Sequence, residues 1–200
     1  MKTKEKILSV ALEMFNETNT QAATTNHIAK KMGISPGNLH YHYSNREEII
    51  RLLYKQMHQK LSLPIAELPK NIAELIEHQK VILTVSYEYR FFYNELIFLL
   101  SRDEELKKIY TQDNIAHLER IKQVLKNFVH NGELTIPFDN IIDYIAESIL
   151  MTFQFWNPFL LTLGKELNET SIIQGIERSN EIMRPFLSDK ALKALAKTIS

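Results

Sequence analysis

Residues 24–50 read TTNHIAKKMGISPGNLHYHYSNREEII. The punctuation of this stretch falls at helix boundaries. Thr24 is placed to cap a helix in which Ile28, Ala29 and Met32 turn to one side, because a Thr hydroxyl can take a backbone N–H that the first turn leaves open. Gly33 follows at the position where a left-handed residue ends a helix. Ser35 can cap the next helix, with Pro36 at its first position, where the missing N–H costs nothing. That helix is short and finishes near Tyr43. Ser44 and Glu47 have the spacing of a capping box for a further helix reaching about Leu61. Upstream, a helix from about Thr3 to Asn16 carries Ile7, Leu8, Ala11, Leu12 and Phe15 on one face, and the polar link ETNTQAA follows it. Three short helices with a tight turn between the second and third make a helix-turn-helix.

In that arrangement the third helix enters a DNA major groove N-terminal end first. Leu39 and Tyr43, four apart, should pack inward against Phe15, Ile28 and Met32. Gly37, Asn38, His40, Tyr41 and His42 then point outward. Asn can pair bidentately with adenine, His and Tyr can reach phosphates or base edges, and Gly37 permits close backbone approach. His40 and His42 form an HxH, but two positions apart on a helix they point to different faces, and no third ligand stands nearby. No metal and no cofactor is expected. Lys2, Lys4 and Lys6 are either flanking phosphate contacts or a solvated end.

The net charge is zero, yet it divides unevenly. Residues 1–60 hold nine Lys or Arg against five Glu, and four of the seven His, so the remaining residues carry a matching negative surplus. Such asymmetry suits an N-terminal half that meets phosphate. The chain has no Cys, which excludes disulfides and thiolate metal sites and suits a reducing compartment. No signal peptide and no transmembrane span is read from the sequence, so a cytoplasmic protein with no membrane partner is expected. No nucleophile–base spacing and no Gly-rich phosphate loop is found, so the chain is not read as an enzyme. A protein-interaction adaptor that keeps the same shape is the remaining rival.

Beyond Pro64 and Pro69, periodicity stays helical, which makes the expected fold all-α with about nine or ten helices. The expected domains are a helix-turn-helix domain at 1–61 and a second helical domain at 62–200. Helices are expected near 70–87, 89–100, from Ser101 and Glu104 as a capping box to His130, then 138–163 and 170–187, with a basic tail helix ALKALAK. The run YEYRFFYNELIFLL begins at Tyr87 and has five aromatics in its first seven residues. These aromatics serve either as core or as the wall of a pocket with Tyr87, Phe91, Phe98, Phe153 and Trp156. Arg90, Asn94, His78 and His117 serve either as polar anchors for such a pocket or as ordinary surface residues, and an apolar or aromatic ligand would suit the pocket. In residues 141–163 and 170–187 the apolar positions cover more than a single core face. Ile149, Phe153, Ile172, Gly175, Ile176, Ser179 and Met183 are the candidates for pairing two copies of the chain, Gly175 and Ser179 leaving a small-residue face for another helix.

The stretch from residue 24 resembles the signature of the TetR family of bacterial transcriptional regulators: a Thr-capped helix with Ile-Ala, then Gly-Val/Ile-Ser, a short helix with Leu-Tyr-x-His-Phe, and Lys-Glu-Glu-Leu. The likeness covers about residues 4–53. It implies that Thr24 and Thr25, with Asn26 beside them, serve DNA from the second helix. Ser35, Pro36, Gly37 and Asn38 match the variable, base-reading start of the recognition helix. Tyr41 and His42 match its contacting end, and Arg46 matches a phosphate-binding Lys. His40 stands where the family usually has Tyr, Asn19 where it has Gly, Tyr43 where it has Phe, and Asn94 where one branch has Arg. The resemblance further implies a homodimer on a double-stranded DNA operator and a small-molecule effector bound by the C-terminal helices. In such a dimer two recognition helices meet successive major grooves roughly 34–36 Å apart, and the effector alters the helix at 45–61. Regulation in either sense, repression or activation, is compatible with the chain, and repression is the family's habit.

Overall fold

The structure, a computed structural model, describes residues 3–64, 67–138 and 140–196. Lys2 and Lys197, the last residue of ALKALAK, lie outside the described residues. In chain order the helices are α1 (Thr3–Glu17), α2 (Thr25–Met32), α3 (Pro36–His42), α4 (Arg46–Leu61), α5 (Ile72–Glu88) and α6 (Arg90–Asn94). They continue with α7 (Leu96–Arg102), α8 (Glu104–His130), α9 (Ile141–Thr162), α10 (Glu169–Met183), a 3₁₀ turn at Arg184–Phe186 and α11 (Asp189–Ala196). Apart from an isolated bridge between Leu134 and Leu187 there is no β-pairing among the described residues. The fold is all-α.

The chain forms two compact units. The first holds the residues up to Leu61 and also Glu88–Lys107, and the second holds Ser62–Tyr87 and the residues from Lys108 on. The aromatic run read with the C-terminal body thus lies, from Glu88 onward, in the same unit as the helix-turn-helix. Ile7, Leu8, Ala11 and Phe15 of α1 are buried there, as their spacing of three and four requires. Phe15 meets Phe91 at 5.3 Å between ring centres, and Tyr54 of α4 stacks on Phe92 at 5.0 Å. In the second unit, Leu125 and Phe128 of α8, Ile142, Ile145 and Ala146 of α9 and Met183 of α10 form one core with Ile72 and Leu187.

Four local readings are corrected. The cap of α4 is Asn45, not Ser44. The Asn45 Oδ1 accepts the N–H of Glu48 at 2.8 Å, and Glu48, not Glu47, reaches back to the N–H of Ser44 at 2.7 Å. The cap of α8 is Asp103, whose Oδ1 accepts the N–H groups of Glu105 and Leu106 at 3.0 Å each. Ser101 instead lies inside α7 and bonds the carbonyl of Phe98. The helix expected over 89–100 is broken at Glu95, whose φ of −112° and ψ of 12° are not helical. The helix expected to reach 187 passes into the 3₁₀ turn, where Pro185 follows Arg184.

His78, on α5 in the second unit, is half-buried, and desolvation lowers its pKa from the ordinary 6.5. Below about pH 6.5 the unfolded chain takes up a proton at this ring more readily than the native chain, so acid favours unfolding. His78→Gln is expected to shrink the fall in Tm between neutral and mildly acidic buffer. Thermal melts of both proteins across that range check this, and an equal fall in both would remove His78 from the account.

Candidate nucleic-acid interface

The caps that set α2 and α3 are formed as the sequence reading anticipates. The Thr24 hydroxyl accepts the N–H of His27 at 3.3 Å, and that of Ser35 accepts the N–H of Asn38 at 3.1 Å. Gly33 closes α2 with φ of 68°, a conformation that L side chains rarely adopt. Its carbonyl acceptors are Lys30 and Ala29. Leu39 and Tyr43 are both buried, at 0% and 1% exposure, together with Phe15 and Ile28. Met32 is only half-buried, at the edge of this cluster. The extra hydroxyl of Tyr43 is satisfied, since it donates to the carbonyl of Lys4 at 3.0 Å. Burial, with the charges of Glu48 and Glu5 adding to it, pushes that phenol up to about 12. Tyr43 is therefore a neutral hydrogen-bond donor tying α3 to the start of α1.

Everything else on α3 faces solvent. Ser35, Pro36, Gly37, Asn38, His40 and Tyr41 are exposed, with Tyr41 at 86%, and His42 is half-buried. At the start of α2, Thr24 and Asn26 are exposed and Thr25 is half-buried. The rings of Tyr41 and His42 meet edge to face at 5.2 Å, which limits how freely Tyr41 swings. His40 places Nδ1 at 3.3 Å from the carbonyl of Ser44. That nitrogen then carries the proton, and Nε2 of the neutral ring is left as an acceptor. Nothing but the Ser35 hydroxyl, at 4.0 Å, would approach a Cβ placed on Gly37, so the backbone there is open to a close partner.

Arg46 sits differently from the rest of the expected set. Its Nη1 donates to the carbonyl of Thr20 at 2.7 Å, its Nη2 pairs with Glu47 at 3.0 Å, and its Nε is buried without an acceptor. The guanidinium is thus occupied in holding the loop after α1. A cavity of 510 Å³ opens beside it, lined by Gln21, Arg46, Glu47, Phe98 and Arg102. Sequence reasoning also missed three polar residues of this unit. Thr20 is wholly buried, and its N–H and hydroxyl both donate to the Glu95 carboxylate, at 2.9 and 2.7 Å. Asn16 donates from Nδ2 to the carbonyl of Glu88 at 2.7 Å and accepts the N–H of Phe91 at 3.1 Å. Asn16 reads as the end of the first helix, Thr20 as solvated link and Glu95 as part of the aromatic helix, and no local pattern marks any of them.

The residues expected at an effector pocket are divided between the units. Phe91, Asn94 and Phe98 belong to the first, where Phe91 is core. Tyr87, His117, Phe153 and Trp156 belong to the second. The indole N–H of Trp156 is buried with no acceptor among the described residues. Of the residues expected between two copies, Ile149, Phe153 and Ile176 are half-buried, whereas Ile172, Gly175, Ser179 and Met183 are buried within the chain itself. The small-residue face is filled in cis: a Cβ on Gly175 would lie 3.1 Å from Cδ1 of Trp156, so α10 closes on α9 there.

Two family models cover this architecture. One, described as "Bacterial regulatory proteins, tetR family", matches residues 7–53, and another, "Bacterial transcriptional repressor", matches residues 53–195. The chain belongs to the TetR family of bacterial transcriptional regulators. Among TetR-family relatives it is 27% identical over 156 residues to the HTH-type transcriptional regulator QacR of Staphylococcus aureus, covering 73% of this chain and 81% of that one. It is 26% identical over 141 residues to IcaR, the biofilm operon negative regulator of Staphylococcus epidermidis, covering 70% of this chain and 68% of the other. A TetR-family regulator from Marinobacter aquaeolei superposes with a TM-score of 0.86 and 27% identity over 98% of this chain and 97% of its own. SmeT, solved with triclosan, shares the fold at a TM-score of 0.62 and 16% identity, over 94% and 93% of the two chains. The TetR family is made of transcriptional regulators and not of enzymes. Among the described residues no helix is long and apolar enough to cross a membrane.

The two ends of the recognition segment are expected to separate in mutagenesis. Tyr41→Ala, at an exposed site, should change stability by no more than about 0.5 kcal/mol. Arg46→Ala strips the Thr20 carbonyl of its donor and should cost about 1–2 kcal/mol. Urea denaturation of the two variants checks this, and equal midpoints would show that Arg46 holds nothing.

Proposed function

We propose that this regulator is a dimeric repressor that reads a near-palindromic operator with α3 and leaves it when a small apolar or aromatic effector binds. The observation that carries the reading is the division of α3 into two sides. Leu39 and Tyr43 are sunk in the core, and Asn38, His40, Tyr41 and His42 present hydrogen-bonding tips outward. A surface of that kind suits base edges better than it suits bulk solvent. We assign Asn38, His40, Tyr41 and His42 to base and phosphate contacts, with Ser35, Pro36 and Gly37 at the leading end of the helix. Thr24, Thr25 and Asn26 take the neighbouring backbone. Arg46 acts chiefly by holding the Thr20 loop in place. A DNA-reading regulator works where its DNA is, in the cytoplasm.

Dimerisation is assigned to the outer side of the α9–α10 pair rather than to the residues closed within it. Tyr144, Met151, Phe155 and Phe159 of α9 are exposed at 59, 61, 37 and 49%, and with Ser148 they fall on one helical face. Ile173 of α10, in the same unit, is exposed at 37%. A large apolar stripe of this kind is uncommon on a monomer and suits a self-complementary two-fold interface. For the effector, the second-unit residues Tyr87, His117, Phe153 and Trp156 carry the proposal. The unpaired Trp156 N–H adds a requirement, namely a ligand with a hydrogen-bond acceptor. SmeT, a protein of this fold, has been solved with triclosan, which supports a ligand-binding reading without naming this chain's ligand.

Sedimentation of the parent protein at micromolar concentration should show a dimer, and Met151→Glu with Phe155→Glu should shift it to monomer and abolish tight operator binding. A parent that sediments as a monomer would overturn the dimeric reading. For the DNA face, a duplex selected by the parent from genomic fragments should be bound roughly tenfold or more weakly by Tyr41→Ala, since a base or phosphate contact is worth about 1–3 kcal/mol. Unchanged affinity in low-salt gel shifts would remove Tyr41 from the interface.

A further inference from the structure

The loop that joins α1 to α2 looks, by sequence, like a solvated connector. In the structure it holds the most fully committed polar residue of the first unit. Thr20 is wholly buried and makes three hydrogen bonds outside its own loop. Its N–H and hydroxyl go to the two oxygens of Glu95, and its carbonyl takes Nη1 of Arg46. Glu95 is the residue at which α6 ends and α7 begins. Arg46 is the first residue of α4, four positions after α3 ends. One buried residue therefore ties the entrance of the helix-turn-helix to its exit and to the α6–α7 joint.

We propose that Glu95 is a positioning residue for operator recognition, acting through Thr20 without touching DNA. The inference rests on the reading of α3 as the DNA-contacting element. Its physical basis is the pairing of a carboxylate with two donors that have no water to turn to. An ionised acceptor makes the stronger class of hydrogen bond, and two bonds to one carboxylate fix both distance and orientation. Asn16, four residues earlier, makes the same kind of two-bond contact at the other end of α6, to the carbonyl of Glu88 and the N–H of Phe91. The five-residue α6 is thus gripped at both joints by side chains from the end of α1 and the loop beyond it. Alignment of α2 and α3 against α6 and α7 is set by these contacts. Base readout needs that alignment far more than phosphate contact does, because bidentate pairing tolerates little displacement.

Thr20→Val keeps the shape of the side chain and removes only the hydroxyl bond to Glu95, Thr20→Ser keeps the bond, and Glu95→Ala removes the acceptor altogether. The probe is a duplex selected by the parent protein from genomic fragments, compared with a scrambled duplex of equal length, both read by fluorescence anisotropy. Thr20→Val and Glu95→Ala are expected to bind the selected duplex roughly tenfold more weakly, a loss of about 1.4 kcal/mol, with scrambled-duplex affinity and salt slope unchanged. Thr20→Ser should match the parent. If Glu95→Ala does not fold by circular dichroism, Thr20→Val alone decides. Parental affinity in a folded Thr20→Val, or an equal loss on both duplexes, overturns the positioning role while leaving the DNA-binding reading intact. A parent that selects no duplex overturns both together.

Discussion

A helix of seven residues does not persist in water, because the cost of its first turn is repaid only by further turns that α3 lacks. What keeps α3 helical is the burial of Leu39 and Tyr43, with Ser35 and Pro36 defining its first turn. The rest of the recognition unit is arranged around that need. Burying the two inward side chains is worth a few kcal/mol by transfer energetics, and it fixes the rotation of the helix about its own axis. Once that rotation is set, Asn38 and Tyr41 have no choice but to face outward. The Tyr43 hydroxyl then adds an axial stop, since its bond to the carbonyl of Lys4 prevents α3 from sliding along α1.

Polar contacts govern a different degree of freedom. Apolar packing tolerates small shifts, whereas a carboxylate that bonds two donors at 2.7 and 2.9 Å does not. Thr20–Glu95, Asn16 with the α5–α6 joint, and Arg51 with Asp103 at 2.6 Å all join the helices before residue 61 to those after residue 88. In each case a polar group meets the chain where a helix begins or ends. This explains why Glu88–Lys107 belongs with the helix-turn-helix despite the long excursion of chain between them. Glu95 stands at the break between α6 and α7, where neither Gly nor Pro is present.

How much of this could be read in advance follows from the range of each interaction. Thr24, Gly33, Ser35 and Pro36 act within four residues of themselves, so their roles were legible, and so was the inward pair Leu39 and Tyr43. The caps of α4 and α8 lie one and two residues beyond the Ser44 and Ser101 that the sequence suggests, because several candidates stand close together. Among Ser44, Asn45, Glu47 and Glu48, the choice of Asn45 with Glu48 leaves Glu47 for Arg46, a preference that depends on Thr20, 26 residues away. Likewise, Asp103 caps α8 while its second oxygen takes Arg51, 52 residues earlier. Gly175 is a place of close approach. The approaching helix proved to be α9 of the same chain, because Trp156 fills the space that a side chain would occupy. Spacing reveals that a helix face is small, and it cannot tell which neighbour uses it.

The same distinction bears on the charge of the DNA-facing half. Its positive surplus reads as an attraction for phosphate, but the structure spends part of it internally. Lys31 lies within 3.1 Å of Glu13 and 3.3 Å of Glu17, and its pKa is raised by its hydrogen bond to Glu13 foremost. Arg46 and Arg51 each hold acidic partners, and Lys60 sits at 2.6 Å from Glu88. α3 itself carries no Lys or Arg. Counterion release scales with the phosphates that a protein neutralises, so cations already paired with carboxylates contribute less than their number suggests. On the proposed reading, discrimination comes from the hydrogen-bonding tips of α3, whose worth depends on placement. The same reading puts the weight of function on the buried polar contacts around Thr20, and under it the wholly buried Thr20 matters to recognition as much as the exposed Tyr41 does.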